Sequence, residues 1–428
     1  MREFLLVSFF LSLCLQAQSN FASLSGNIED PQQRPVQLAR VQMKFIATGA
    51  VRNAVTGPEG AYDFASLAPG EYELEVQAVG LATLTRRVRL EVGQQMVLDV
   101  PLMLGLAKEK VEVIGFAEVL KTNDASLGEV VEQQSIKELP LNGRRLLDLA
   151  LTVPGSHISH GIQRGDVSSV YWRPGQPSAI SIGGNRPNAN YFLLDGATNT
   201  NPSLATQNMS LSPDAVLEFK VQTGSYTAEM GGAGGGQINI VTRSGASRFH
   251  GTVYEFLRNN AMDARNFNEM EGTSHLVRNN FGASLGGPLK GGKTFFFVNY
   301  EGLRKSEADA VVDTVPTAAE AAGDFSHSGA NIFNPNSSQI PRNPFPNNRI
   351  PANLISPVAS IMLNKYVPRP NMEGGMGLGM TMMGVPQVFG AGIDASNYLD
   401  VRNEHHEQNQ GTVRIDRNLR GGDSVYGR

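Results

Sequence analysis

Gly287-Pro288-Leu289-Lys290-Gly291-Gly292-Lys293-Thr294 spells the phosphate-loop pattern G-x-x-x-x-G-K-[ST] in full. Such a loop holds phosphate only where it opens a helix, whose N-terminal N–H groups and dipole meet the anion. Here Thr294 leads into Phe295-Phe296-Phe297-Val298-Asn299-Tyr300, aromatic and strand-like. The glycines read as a turn between strands, with Lys290 and Lys293 in water. A second cluster, Gly231-Gly232-Ala233-Gly234-Gly235-Gly236, lacks the G-x-G-x-x-G spacing and runs into the β-type Gln237-Ile238-Asn239-Ile240. It reads as close backbone packing. His405-His406-Glu407 with Glu404 offers metal-ligand chemistry, but adjacent side chains rarely converge on one ion, and a solvated loop end is the better reading. Met372, Met376, Met380, Met382 and Met383 are thioethers of the kind that suit Cu(I), set in a Gly-rich stretch that reads as a flexible loop without metal. No Ser/His/Asp or Cys/His nucleophile set and no acid/base carboxylate pair is identifiable. The chain reads as non-enzymatic, with no cofactor and no metal.

Composition narrows the classes further. The 428 residues carry 36 basic and 40 acidic side chains for a net charge of −4. There is neither the basic excess nor the basic stripe of a nucleic-acid binder. Charged residues are 18% of the chain, below the roughly 25% of ordinary soluble domains. The 46 glycines and 23 prolines favour tight turns and β-structure. A single cysteine allows no internal disulfide and excludes the usual Cys-based zinc sites.

Arg2 precedes the apolar run Phe4–Leu15, and Gln16-Ala17-Gln18-Ser19 follows it. This describes a secretory signal peptide over 1–18, too short to span a bilayer as a helix. Cleavage near Ala17 would take Cys14 with it. No other stretch reaches 18 apolar residues without a charge, so membrane insertion would have to use β-strands.

The elements that position these residues fall into three regions. Residues 22–104 read as an antiparallel β-sandwich. In Glu71-Tyr72-Glu73-Leu74-Glu75-Val76-Gln77-Ala78 the even positions are apolar or aromatic and the odd ones polar, the period of a strand with one buried face. Val41–Phe45 and Arg87–Val92 alternate likewise, with turns at Gly57-Pro58-Glu59-Gly60 and Ala68-Pro69-Gly70. Tyr62, Phe64 and Leu67 are expected in the core, with Pro69-Gly70 turning a hairpin. The run Gly60–Tyr72 resembles the signature of carboxypeptidase-regulatory-like domains, which implies a carbohydrate-binding-like sandwich.

Residues 105–247 read as a mixed α/β domain. Helices are expected at 135–139 and 144–151, the second capped by Asn142 and stopped by Pro154-Gly155. Short strands are expected around Tyr191–Leu194, Val216–Thr223 and Gln237–Thr242. From 248 the alternation returns, with strand candidates at 248–258, 279–287, 294–303, 411–418 and from 424. In Asn280–Gly286 the apolar residues hold only odd positions, as a wall with one lipid face and one lumen face requires. The connections 288–293 and 419–423 are short, while 259–278 and 304–410 are long. Outer-membrane barrels have short periplasmic turns and long outer loops, which assigns the long ones to the outside. Five strands cannot close a barrel of at least eight. The count predicts an N-terminal part of a longer protein or a truncated reading frame, with 248–428 as the first part of its barrel.

Glu138-Leu139-Pro140-Leu141-Asn142-Gly143-Arg144, Tyr191-Phe192-Leu193-Leu194-Asp195-Gly196 and the 231–243 segment, in this order behind a sandwich, resemble the plug of TonB-dependent outer-membrane receptors of the Oar-like branch. The resemblance implies a Gram-negative outer-membrane location, with sandwich and plug on the periplasmic side or in the barrel lumen. It implies energy-coupled uptake of an unidentified extracellular ligand, carbohydrate being one candidate class, and contact with outer-membrane lipid and TonB. In these receptors the TonB box lies ahead of the plug, where this chain has Val111, Glu112, Val113 and Ile114. A passive linker strand is the alternative for those four residues. For the whole chain the alternative is a surface adhesion or structural protein that does not transport.

Overall fold

The computed structural model describes residues 21–428 apart from 106–109, 117–125, 159–179, 204, 227–231, 233, 266–273, 290–291, 328–329, 339, 341, 372–396 and 420–422. The expected signal peptide and the Met-rich stretch therefore lie outside the described residues. The chain divides into two compact units. One comprises Met1–Phe256, Asn280–Leu303 and Gln408–Arg428; the other comprises Leu257–Asn279 and Arg304–Glu407.

Alternation decides the N-terminal region. Strands β1 (Ala22–Glu29), β2 (Arg40–Phe45), β3 (Val51–Val55), β4 (Ala61–Leu67), β5 (Gly70–Gln77), β6 (Thr83–Leu90), β7 (Gln95–Val97), β8 (Val100–Pro101) and β9 (Lys110–Phe116) form two sheets. One runs β4-β1-β7 with β8 also on β1, and the other runs β3-β2-β5-β6-β9. Tyr72, Leu74 and Val76 are buried with Val41, Met43, Tyr62, Phe64 and Leu67 in one apolar core. Two expectations change. Pro69-Gly70 does not turn a hairpin, because β4 pairs with β1 whereas β5 pairs with β2 and β6, so the turn carries the chain from one sheet to the other. Gly70 has φ 138° there, and a Cβ on it would lie 2.8 Å from the Phe45 ring. The sandwich is also not purely antiparallel: β1 pairs parallel with β7 and β8, and β6 with β9.

The middle region is a five-stranded sheet in the order β10-β15-β16-β13-β14. Its strands are β10 (Leu127–Glu132), β13 (Tyr191–Leu194), β14 (Ala197–Thr198), β15 (Val216–Gly224) and β16 (Gln237–Thr242), with β11 (Ser156–Ile158) paired to β12 (Ile180–Ile182) beside it. Helix α1 (Gln133–Glu138) buries Ile136. The helix expected at 144–151 is instead a pair of 3₁₀ segments, Asn142–Arg144 and Leu146–Thr152. Gly143 at φ 72° and Arg144 at φ 57° are left-handed, which breaks the helical line before Leu146. At the glycine cluster, Gly236 N–H donates to Asn190 Oδ1 at 2.9 Å. A Cβ on Gly236 would fall 2.5 Å from the Ile182 side chain.

The last sheet joins β17 (His250–Asn259), β18 (Leu276–Pro288), β19 (Thr294–Asp313), β20 (Tyr398–Asn418) and β21 (Ser424–Gly427), each beside the next in sequence. On β18, Asn280 and Ser284 are buried while Leu285 is exposed; on β19, Phe295, Phe297, Asn299 and Glu301 are buried while Val298 and Tyr300 are exposed. The phosphate-loop look-alike closes the β18–β19 turn, Leu289 N–H donating to Thr294 O at 2.7 Å, and Thr294 starts a strand. Strands β19 and β20 run past the expected ends at 303 and 411, which shortens the long connection to 314–397. Residues 304–307 and 404–407 are polar and offer no apolar alternation, but backbone ladders do not need one; His406 Nε2 lies 3.7 Å from Glu307 and Arg304 3.8 Å from Glu407. Among its described residues the connection carries the helices α2 (Ala318–Ala321), opened by a Thr317/Glu320 capping box, and α3 (Pro357–Tyr366).

Candidate functional site

The four residues singled out as a TonB box, Val111, Glu112, Val113 and Ile114, lie in β9. That strand is an edge of the sandwich sheet, parallel to β6, with Leu84 opposite Val111, Thr85 opposite Glu112 and Arg86 opposite Val113. The ladder then slips, and Arg87 faces Phe116.

A second constellation escaped the sequence reading. Arg144, held in its left-handed turn, donates through Nη2 to Asp214 at 2.5 Å and through Nε to Glu301 at 3.0 Å. Glu301 Oε2 also accepts from Ser212 Oγ at 2.7 Å and from the Tyr254 hydroxyl at 2.5 Å. The guanidinium lies 4.2 Å from the Tyr254 ring centre and 4.8 Å from that of Phe256. Asp214 takes a further bond from Thr252, which itself meets Ser284 at 2.8 Å. Local structure places each member. Ser212 caps the 3₁₀ turn Pro213–Ala215 that carries Asp214. Glu301 holds the buried parity of β19, in line with Phe295, Phe297 and Asn299. Gly282 on β18 leaves room for Tyr254, since a Cβ there would sit 2.4 Å from its hydroxyl. Burial alone would lower the Arg144 pKa, but Glu301, Tyr254 and Asp214 together raise it, so the guanidinium stays charged.

A third cluster centres on Asp195, at φ 48° in the Leu194-Asp195-Gly196 turn. Its carboxylate accepts from Thr242 N–H at 2.8 Å, Thr242 Oγ1 at 2.7 Å and Arg428 Nη1 at 2.9 Å. Arg414 of β20 binds Thr242 O and Oγ1 at 3.1 and 2.8 Å and pairs with Asp416 at 2.8 Å. Both clusters join the middle sheet to the last sheet through charge-assisted bonds, which are stronger and more directional than neutral ones.

The middle sheet also grips the sandwich. On β15, Glu218 accepts the Val92 N–H at 2.9 Å and Lys220 donates to the Val92 carbonyl at 3.0 Å. The two side chains sit at i and i+2, on one face of the strand. Burial pushes the Glu218 carboxyl up to about 7, against the Val92 bond and Arg89, which lower it.

These arrangements position and latch; none aligns a nucleophile with a base. Among the described residues no group of three or more His, Cys, Asp or Glu could hold a metal. Two signals were available in the sequence: Arg144 ends the Glu-Leu-Pro-Leu-Asn-Gly-Arg motif, and Glu301 is a charge at an inward parity. Asp214 carried no such signal.

Comparison with known proteins adds the lineage. A carboxypeptidase regulatory-like domain matches residues 23–103, and an outer membrane beta barrel domain matches residues 241–428. The chain is 28% identical over 296 residues to the TonB-dependent transporter Oar of Myxococcus xanthus, covering 66% of this chain and 27% of that protein. The chain thus spans about a quarter of the length of this curated relative. Among solved structures it is similar to the outer membrane transporter YddB from Escherichia coli (TM-score 0.34, 17% identity, 42% of this chain and 27% of that one). It is likewise similar to the siderophore receptor PirA from Acinetobacter baumannii (TM-score 0.32, 18% identity, 43% and 28%). A regulatory-like sandwich ahead of an outer-membrane barrel segment, together with the Oar relationship, makes this chain similar to the Oar-like TonB-dependent receptors.

Proposed function

We propose that the chain serves energy-coupled uptake across the outer membrane of a Gram-negative cell. In this reading residues 105–247 form the plug in the lumen of a barrel begun by β17–β21. The sandwich lies on the periplasmic side, an unidentified ligand arrives at the outer loops, and TonB engages residues 111–114. The chain's own side chains latch and position; they do no covalent chemistry. The observation that carries the reading is the 28% match over 296 residues to a TonB-dependent transporter. The buried Arg144–Asp214–Glu301 bridge supports it, because a plug must be fixed to its wall yet remain releasable.

A strand that adds to a partner's sheet is recognised mainly through its backbone. Proline removes a donor and fixes φ, whereas threonine keeps both the N–H and the β-branch. With the receptor in outer-membrane preparations and the periplasmic domain of TonB as probe, Val113→Pro should lose capture and Val113→Thr should retain it. Equal capture by both variants would sink the assignment of 111–114. Topology is checked on intact cells: a cysteine at Ser338 should react with an impermeant thiol reagent and one at Gly291 should not. The reverse pattern would invert the arrangement.

A further inference from the structure

Three elements of the second compact unit enclose a cavity of about 560 Å³, within the roughly 300–1,000 Å³ of small-molecule sites. Strand β20 turns one face to it, with Tyr398, Asp400 and Arg402 at alternate positions. The end of β19 adds Asp313, and the last turn of α3 adds Lys365 and Tyr366. We propose that this cavity binds an uncharged oligosaccharide. The proposal rests on the reading of the chain as an uptake receptor whose long connections face outward, and it names the ligand class.

Three observations carry the inference. First, the frame of the cavity is built. Asn397, which is buried, accepts the Val315 N–H and donates to the Val315 carbonyl, both at 2.8 Å. Asn371 treats Leu399 in the same way, accepting its N–H at 2.8 Å and donating to its carbonyl at 2.7 Å. The Asn371 N–H in turn donates to the Asn397 carbonyl at 3.1 Å. The wall is therefore ordered before a ligand arrives, which keeps binding energy from being spent on ordering it. Second, those clasps engage the backbone groups of Val315 and Leu399, so the cavity meets its occupant with side chains. An extended peptide, recognised mainly through main-chain pairing, finds no such edge at these residues. Third, the lining is polar, aromatic and balanced. Lys365 and Arg402 are matched in number by Asp313 and Asp400, which leaves no net charge to draw an anion or a cation. Arg402 pairs with Asp400, and Lys365 Nζ lies 5.2 Å from the Tyr366 ring centre. Carboxylates accept from hydroxyls, and guanidinium and ammonium groups donate to them, in charge-assisted bonds. The exposed Tyr366 ring offers an apolar face beside a polar edge, the surface that the C–H face of a pyranose covers.

The test uses the receptor in outer-membrane preparations and equilibrium binding of neutral tetrasaccharides of glucose, galactose, mannose and xylose. Tetra-alanine and inorganic phosphate are the comparison probes. We expect at least one tetrasaccharide to bind, and Asp313→Asn and Tyr366→Ala each to weaken it by about tenfold or more. Both side chains are exposed, so the variants should fold, and unchanged hydrogen-exchange protection of β19 and β20 checks that they do. Three results would each overturn the proposal: no tetrasaccharide bound, binding indifferent to both substitutions, or tetra-alanine or phosphate held instead with that sensitivity. A free oligosaccharide and the cell's own surface glycan share this chemistry. Preparations from a host with a truncated surface glycan separate the two sources: tetrasaccharide binding that rises there marks the surface glycan as the occupant, and equal binding marks the free sugar. The assay needs neither TonB nor a proton gradient. Failure of the uptake reading therefore looks different, since a tetrasaccharide would still bind while Val113→Pro behaved as wild type toward TonB.

Discussion

The sandwich and the plug-like sheet solve opposite problems. In the sandwich the core is a set of apolar side chains, Leu24, Val41, Met43, Leu74 and Val88 among them, buried by simple alternation. The middle sheet has an apolar core too, but it also buries Asp214, Glu218, Lys220, Arg243, Gln237 and Asn239. Most of that buried polarity sits where the sheet meets another part of the molecule. Apolar burial is non-directional and offers no charge to titrate or screen. Buried charge pairs contribute little net stability, yet losing one partner is costly because the other is stranded. The contrast is between an apolar core and a set of directional charged contacts, each of which strands its partner when one member is lost.

The sharpest way to break this comparison is at Arg144. Arg144→Ala leaves Asp214 and Glu301 without their counter-charge and should cost about 3–5 kcal/mol, read from the urea midpoint of hydrogen-exchange protection in β15 and β16. Adding Glu301→Gln should recover part of the loss. If the single variant is silent, the bridge is ornamental. In the sandwich, Leu74→Ala removes a fully buried side chain and should cost about 2–5 kcal/mol, with no screening effect of sodium chloride on the difference. A strong salt dependence there would erase the distinction.

Next comes pH, at the grip on Val92. Buried Glu218 has its carboxyl raised from 4.5 to about 7, so the docked state holds a proton that the separated state gives up. Docking should therefore be strongest at low pH and weaken as pH rises through the window from 4.5 to about 7, by at most about 3 kcal/mol. Protease release of the sandwich between pH 5 and 7.5 measures it, and Glu218→Gln should flatten the slope. Weakening on acidification would contradict the sign. The smallest effect belongs to Arg52 and Asp423, 3.4 Å apart with Asp423 largely exposed. Asp423→Asn should shift stability by less than about 1 kcal/mol.

What the residues alone revealed follows the same divide. Tyr62, Phe64, Leu67, Tyr72, Leu74 and Val76 were legible because period-two burial is written directly into the chain. The wall strands were legible for the same reason, but only as far as their apolar positions reach; β19 and β20 continue through polar residues where the pattern has nothing to say. The helix expected at 144–151 failed because Gly143 and Arg144 adopt left-handed φ, and a non-glycine residue there is not predictable from propensity. The latches were the least legible. Arg144 and Glu301 are 157 residues apart and Glu218 and Val92 are 126 apart, and no local period records which distant charges meet.

Strands β19 and β20 have 20 and 21 residues. At a rise of about 3.3 Å each is roughly 66–69 Å long, and a tilt near 45° still leaves close to 50 Å along the membrane normal. The apolar band of such a wall is only about 25 Å tall. Nearly half of this ribbon must then stand in water, where Arg304, Glu307, Glu404 and Glu407 occupy it. Held by its own ladder rather than by lipid, that part of the ribbon draws its order from backbone hydrogen bonds and from flanking charges such as His406 beside Glu307.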